Sequence, residues 1–283
     1  MGLKKIIRKA AKLILESSPD KYVTVNVGQI TNGEILKGKT VVITGGGSGI
    51  GFEIAKRCIA EGAKVIIAGR SENRLQKAIA ELGGSAQYIQ FDVSAVSNAM
   101  DFLMGCEKKL GKKIDFLVSN AGVSLHENEF SRVTEEGFDK QFNTNLKGNY
   151  FLCKAFLELK LKEKEPSGEL LVITSESGDQ AYDIPYGMTK ASVNTFVKAM
   201  SQRVYQNGIR VNAIAPGVTE TEMTSDYASP SNGNMYRKCA SGRIFKPEEV
   251  AEVALFLLSD ASMCINGEII HCNAGNHIKT FWD

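Results

Sequence analysis

The stretch "TVVITGGGSGIGFEIAKRCIAEG", Thr40 to Gly62, decides the fold. Its first five residues are all β-branched, stiff at χ1 and suited to a pleated strand. Its last eleven have helical spacing. Between the two lies a glycine-rich turn, and the order of the three parts is what matters. Glycines let the chain reverse tightly and let an anionic group come close to the backbone, while the helix that follows presents unpaired amide donors and its positive dipole end. A strand, such a turn and a helix open a βαβ unit with a seat for a dinucleotide pyrophosphate. Gly45, Gly47, Ser48, Gly49, Ile50 and Gly51 are therefore candidate cofactor contacts. The key glycines, Gly45, Gly49 and Gly51, are spaced GxxxGxG rather than GxGxxG.

Downstream the pattern repeats. Short apolar, β-branched runs stand at 40–44, 64–68, 87–93, 115–119, 169–175, 210–215 and 268–272, separated by segments of helical period. Seven such runs with six crossovers, apolar on both faces, predict a doubly wound parallel seven-stranded sheet covered by helices on either side, an α/β Rossmann arrangement. The reading places one dinucleotide-binding domain over 35–283, preceded by an extension over 1–34.

The extension opens with "LKKIIRKAAKLI", residues 3–14, which puts Leu3, Ile6, Ile7, Ala10, Leu13 and Ile14 on one helical face and five basic residues on the other. A basic amphipathic helix of this kind suits a membrane surface or a docking partner, and equally the protein's own body or a neighbouring subunit, which is the favoured reading. Without those five charges the net +2 of the chain becomes −3, so the body is mildly acidic. That balance excludes a general nucleic-acid binder, which needs a basic excess to neutralise phosphates. The cysteines at 58, 106, 153, 239, 264 and 272 form no CxxC pair and no zinc-ligand spacing, so no metal site is expected. They read as reduced thiols in a cytoplasmic protein. No apolar run approaches the roughly 18 residues of a membrane span.

Within "IPYGMTKAS", residues 184–192, Tyr186 and Lys190 stand four apart. On a helix that is about one turn, so both side chains share a face. A tyrosine hydroxyl titrates near pH 10 in water, and a nearby ammonium should lower it towards neutral use as an acid or base.

Taken in order, "TGGGSGIG", "FDV" (Asp92, Val93), "SNAG" (119–122), "NTNLKG" (Asn145), "ITSESG" (Ser175), the YxxxK of Tyr186 and Lys190, and "APGVTETEM" resemble the signatures of the short-chain dehydrogenase/reductase family, in its shorter type. The resemblance runs over nearly everything from residue 37 onward. It implies hydride exchange between a nicotinamide and a carbonyl carbon. Tyr186 would be the proton donor in reduction, and Lys190 would lower its pKa and hold the ribose. Ser175 would bond the substrate oxygen, and Asn145 would place a water relaying protons towards Lys190. It also implies cofactor contacts at Asp92, Val93, Asn120 and Gly122, and at Pro216, Gly217, Thr219 and Thr221 for the nicotinamide end.

At the end of the second strand, where an NAD site usually places an acid, the chain has Gly69 followed by Arg70. A guanidinium there pairs with a 2′-phosphate, which favours NADP(H) over NAD(H), although the glycine turn carries Ser48 instead of a second basic residue. Ser175 and Tyr186 are eleven residues apart, a short loop for the family, and Glu176 and Asp179 make it unusually acidic; they either face the substrate or are solvated. The polar segment after Thr221, with Arg237 and Lys238, suits a polar substrate such as a sugar, polyol, hydroxy acid or oxoacyl derivative. Phe281 and Trp282, costly to expose, point to a subunit contact in a homodimer or homotetramer. Two other readings stand beside this one. One is a cofactor-binding regulatory or scaffold subunit of the same fold without turnover. The other is a sugar-nucleotide epimerase or dehydratase, disfavoured by the glycine spacing and the short C-terminal part.

Overall fold

The computed structural model describes residues 33–227 and 239–278. The amphipathic helix at 3–14, Arg237 with Lys238, and Phe281 with Trp282 lie outside the described residues. Seven strands form one parallel sheet: β1 (Thr40–Thr44), β2 (Lys64–Gly69), β3 (Ala86–Gln90), β4 (Phe116–Ser119), β5 (Gly168–Ile173), β6 (Ile209–Pro216) and β7 (Ile269–Cys272). Their order across the sheet is β3-β2-β1-β4-β5-β6-β7. The chain therefore winds outward from β1 in one direction and from β4 in the other, and the crevice at the C-terminal ends of β1 and β4 is the topological switch point.

Alternation along the strands sorts the core into two layers. Val42, Leu117, Leu170 and Val172 face helices α3 (Ala99–Leu110), α5 (Asn149–Leu161) and α6 (Pro185–Val204), where they meet Leu103, Phe156, Val193 and Val197. Their immediate neighbours Val41, Ile43, Phe116, Val118, Leu171 and Ile173 turn to the other side, against α1 (Gly49–Ala60), α2 (Glu72–Leu82) and α7 (Pro247–Leu258). This period of two, buried on both faces, is why the strand sequences read as unbroken apolar runs. Each fully buried aliphatic side chain contributes about 1.5–3 kcal/mol through removal from water.

Two strand ends differ from the sequence reading by more than one residue. The run at 87–93 leaves the ladder after Gln90, because the Asp92 carboxylate accepts from the amide and hydroxyl of Ser94 and turns the chain (2.9 and 2.7 Å). β5 stops at Ile173, where Ser175 caps a short 3-10 turn, Glu176–Asp179. Helix α4 (Glu135–Gln141) passes through a π-helical segment, Phe142–Gly148, into α5. Widened turns of that kind are concentrated at functional sites, and this one carries Asn145.

The thiols of Cys58, Cys106 and Cys153 are buried and unpaired, and burial pushes each up to about 12. They pack as small hydrophobes.

Candidate active site

A cleft of about 740 Å³ opens at the switch point. Seventeen of the nineteen sequence-predicted site residues line it, from Arg70 at one end to Ser175, Tyr186 and Lys190 at the other. Gly51 and Asn145 do not.

The floor is the glycine turn. Gly45 and Gly49 take φ values of 66° and 56°, the left-handed region that side chains disfavour. Space is short as well: a Cβ on Gly45 would lie 2.8 Å from Asn120 Nδ2, and one on Gly49 would lie 3.0 Å from the Thr221 methyl group. Ser48 precedes α1 in extended conformation and makes no capping bond of its own, so the first-turn amides remain the donors of this helix end. Gly51 acts from behind. A Cβ there would stand 2.5 Å from Asn120 Nδ2 and 2.6 Å from the Gly45 carbonyl oxygen, so its part is to let α1 close on the turn.

Asn120 holds that turn in place. Its amide donates to the carbonyls of Thr44 (2.9 Å) and Gly45 (3.2 Å), while the amides of Asn120 and Ala121 donate to Thr44 Oγ1, both at 3.1 Å. The end of β4 is thereby locked to the end of β1.

The other end of the cleft is built on β5 and α6. Pro185 occupies the first turn of α6, where its missing N–H costs nothing, and fixes where that helix begins. Tyr186 follows, half-buried, and lines the cleft together with Ser175. The ten-residue loop therefore still brings Ser175 and Tyr186 into one cleft. Lys190 lies one turn on, with Nζ 5.6 Å from the Tyr186 ring centroid and donating to the Ile173 carbonyl at 3.1 Å. Burial holds the Lys190 ammonium down to about 8. Burial raises the Tyr186 phenol above its usual value, and the neighbouring Ser175 hydroxyl offsets that only in part. The reason is that desolvation disfavours the phenolate, and Lys190 is itself drawn towards neutrality by the same burial.

Asn145 is 1% exposed and sits behind the cleft. Its side chain grips Val123 at both ends, accepting from the Val123 amide and donating to its carbonyl, each at 2.8 Å. The nearest group between it and Lys190 is Gly122, where a Cβ would stand 3.4 Å from Asn145 Oδ1 and 3.8 Å from Lys190 Nζ. What the arrangement shows of Asn145 is a brace for the segment after β4.

Sequence reading missed Arg74. It stands four residues after Arg70, in the first turn of α2, lines the same end of the cleft and reaches across it to Glu222 (2.8 Å). The spacing from Arg70 was the available signal. Glu176, expected either to face the substrate or to be solvated, neither lines the cleft nor is exposed. It is buried, with Oε2 accepting from Asn273 and Asn276. Among the described residues no group of His, Cys, Asp and Glu could hold a metal ion.

The chain as a whole is similar to known proteins. A family model described as enoyl-(acyl carrier protein) reductase matches residues 45–277. The chain belongs to the short-chain dehydrogenase/reductase family. Among its curated relatives in that family, the 3-oxoacyl-[acyl-carrier-protein] reductase of Chlamydia pneumoniae is 34% identical over 247 residues, covering 85% of this chain and 97% of that protein. The Escherichia coli protein of the same name is 31% identical over 248 residues, covering 86% and 99%. Among solved structures, the 3-ketoacyl-(acyl-carrier-protein) reductase of Brucella melitensis, complexed with NADH, superposes with a TM-score of 0.77 at 29% identity, covering 86% of this chain and all of that one. Levodione reductase reaches a TM-score of 0.80 at 26% identity, over 86% and 98%. Like these short-chain dehydrogenases/reductases, the chain carries the parallel sheet and its flanking helices. Among the described residues, no helix is long and apolar enough to cross a membrane.

Proposed function

We propose that this member of the family is an NADP(H)-dependent oxidoreductase that interconverts a carbonyl and a secondary alcohol. The observation that carries the reading is the convergence of Ser175, Tyr186 and Lys190, the lysine one helical turn behind the tyrosine, on one cleft floored by glycines. The cradle suits a dinucleotide, because Gly45 and Gly49 line it without side chains and the first-turn amides of α1 are left as donors. Gly45, Gly47, Ser48, Gly49 and Ile50 would hold the pyrophosphate. Asp92 and Val93 would flank the adenine, and Pro216, Gly217, Thr219 and Thr221 the nicotinamide end. A nicotinamide cofactor bound there supplies or takes up the hydride.

The chain's own residues handle the proton and the developing charge. Tyr186, kept as a neutral phenol by burial, is the acid that protonates the carbonyl oxygen in reduction. Ser175 donates to the same oxygen, where negative charge grows, and so favours the transition state over the ground state. Lys190, when charged, stabilises the phenolate left behind and steadies the ribose hydroxyls. Asn145 keeps Gly122 and Val123 in place beside Lys190. Arg70 and Arg74 support the preference for NADP(H), since two guanidiniums at the adenosine end of the cleft match a 2′-phosphate.

The substrate class we favour is a polar carbonyl compound, with oxoacyl thioesters placed first because relatives are reductases of that kind. The protein acts as a homo-oligomer. Tyr150, Phe151 and the adjoining Phe196 leave an aromatic patch on α5 and α6, costly to expose. Free thiols fit a cytoplasmic location.

The test is consumption of NADPH and NADH, by absorbance, with 3-oxoacyl thioesters, ketoses, keto acids and diketones, and Tyr186→Phe alongside. Turnover that vanishes in the variant bears the proposal out. Cofactor binding without turnover of any carbonyl would favour a regulatory subunit of the same fold.

A further inference from the structure

We propose that Glu176 and Asp179 fasten the loop carrying Ser175 to the C-terminal segment 271–277, and that this tie positions the Ser175 hydroxyl against Tyr186. The inference rests on the reading of Ser175 and Tyr186 given above and adds the residues that hold them in register.

The starting point is local. Only ten residues separate Ser175 from Tyr186, and the first of them form a single 3-10 turn, Glu176–Asp179. One such turn has few bonds of its own, so its orientation must be set from outside. Ser175 is its cap, with Oγ accepting from the Ser177 amide at 3.2 Å, and any tilt of the turn swings that oxygen.

Two walls hold the turn. The first is α6: a Cβ at Gly178 would lie 2.7 Å from Asn194 Nδ2 and 3.0 Å from the Lys190 carbonyl oxygen, so turn and helix are in direct contact. The second is the end of β7 with the segment that follows it, roughly 100 residues on. Glu176 Oε2 accepts from Asn273 Nδ2 at 3.0 Å and from Asn276 Nδ2 at 3.1 Å. At the other end of the turn, Asp179 Oδ2 meets His271 Nε2 at 2.6 Å, while Oδ1 accepts from Asn194 at 3.3 Å. Both carboxylates that make this loop unusually acidic are thus spent on the same neighbour.

That neighbour is itself built to receive them. Asn273 is fully buried, and its Oδ1 accepts from the Gly275 amide and contacts His277 Nδ1 (3.1 and 3.0 Å). Ala274 takes φ 52°, a conformation that a side chain disfavours and that surrounding bonds must maintain. The His271 and His277 rings stack at 3.7 Å. Sub-ångström placement governs how well a hydroxyl stabilises a transition state, so bonds far along the sequence control the reaction through Ser175.

Three variants test the tie: Glu176→Ala, which removes the acceptor; Glu176→Gln, which keeps an oxygen able to accept both amides; and Asn276→Ala. Each is examined by amide hydrogen exchange of residues 175–180 without cofactor, and by kcat and cofactor KM on whichever carbonyl the native protein reduces. Glu176→Ala and Asn276→Ala are expected to exchange Ser177 and Gly178 about tenfold faster. They should lose about tenfold or more in kcat while cofactor KM stays within about twofold. Glu176→Gln should track the native protein in both. If Glu176→Ala does not fold, Asn276→Ala carries the same expectation from a residue outside the sheet. Native exchange and kcat in the alanine variants would overturn the tie, as would a Glu176→Gln variant as impaired as Glu176→Ala. Faster exchange in a protein that reduces no carbonyl supports the tie and counts against the reductase reading alone.

Discussion

The Lys190 ammonium donates to the main-chain carbonyl of Ile173 at 3.1 Å, joining the second turn of α6 to the last residue of β5. Thr174 reinforces the junction by donating to Asn194 Oδ1 at 2.8 Å. This seam joins the helix that carries Tyr186 to the strand that leads into Ser175.

Lys190 gives the fold a pH dependence with a definite sign. Burial lowers it from 10.5 to about 8, so between those values the unfolded chain binds more protons than the folded one. Stability should therefore rise with pH through that window. Below about 8 the full penalty applies, roughly 3 kcal/mol at most for a shift of this size. Lys190→Met should remove this component. Urea denaturation of both proteins at pH 7 and pH 10 checks it: the difference in free energy should move in the native protein's favour at the higher pH.

Tyr186→Phe removes the hydroxyl proposed as proton donor while keeping the ring that Lys190 faces. Turnover should fall by about 10²–10⁴. Cofactor affinity, read by fluorescence titration, should change by less than about threefold, since the lost group meets the substrate oxygen.

Gly51→Ala tests the cradle from behind. The new methyl would stand 2.6 Å from the Gly45 carbonyl oxygen, a backbone atom that cannot swing aside. Overpacking of this kind costs about 1–3 kcal/mol, so both the denaturation midpoint and dinucleotide affinity should drop. Gly84→Ala, where nothing lies within 4 Å, is the control and should do neither.

Arg70→Ala and Arg74→Ala should each weaken NADPH binding by about tenfold, the size expected of a lost charge-assisted bond, and leave NADH nearly unchanged. Glu222→Gln should act oppositely, because Glu222 holds Arg74 in an exposed ion pair for which a phosphate would compete. Titrations at two salt concentrations check the electrostatic origin, since exposed pairs are screened.

The sheet, its two apolar layers and the cofactor turn were legible in the sequence because they depend on short-range pattern. β-Branched runs such as 40–44 pleat, glycines at 45 and 49 take left-handed turns, and a four-residue spacing puts Tyr186 and Lys190 on one helical face. The tertiary structure alone decided the rest, because those contacts join residues far apart in the chain. Arg74 meets Glu222, Asn145 grips Val123, and Glu176 reaches Asn273 and Asn276 only after seven strands have settled side by side. The pKa of Tyr186 belongs to the same class. Sequence shows a charge one turn away, whereas the balance between that charge and desolvation depends on how deeply the closed fold buries both groups.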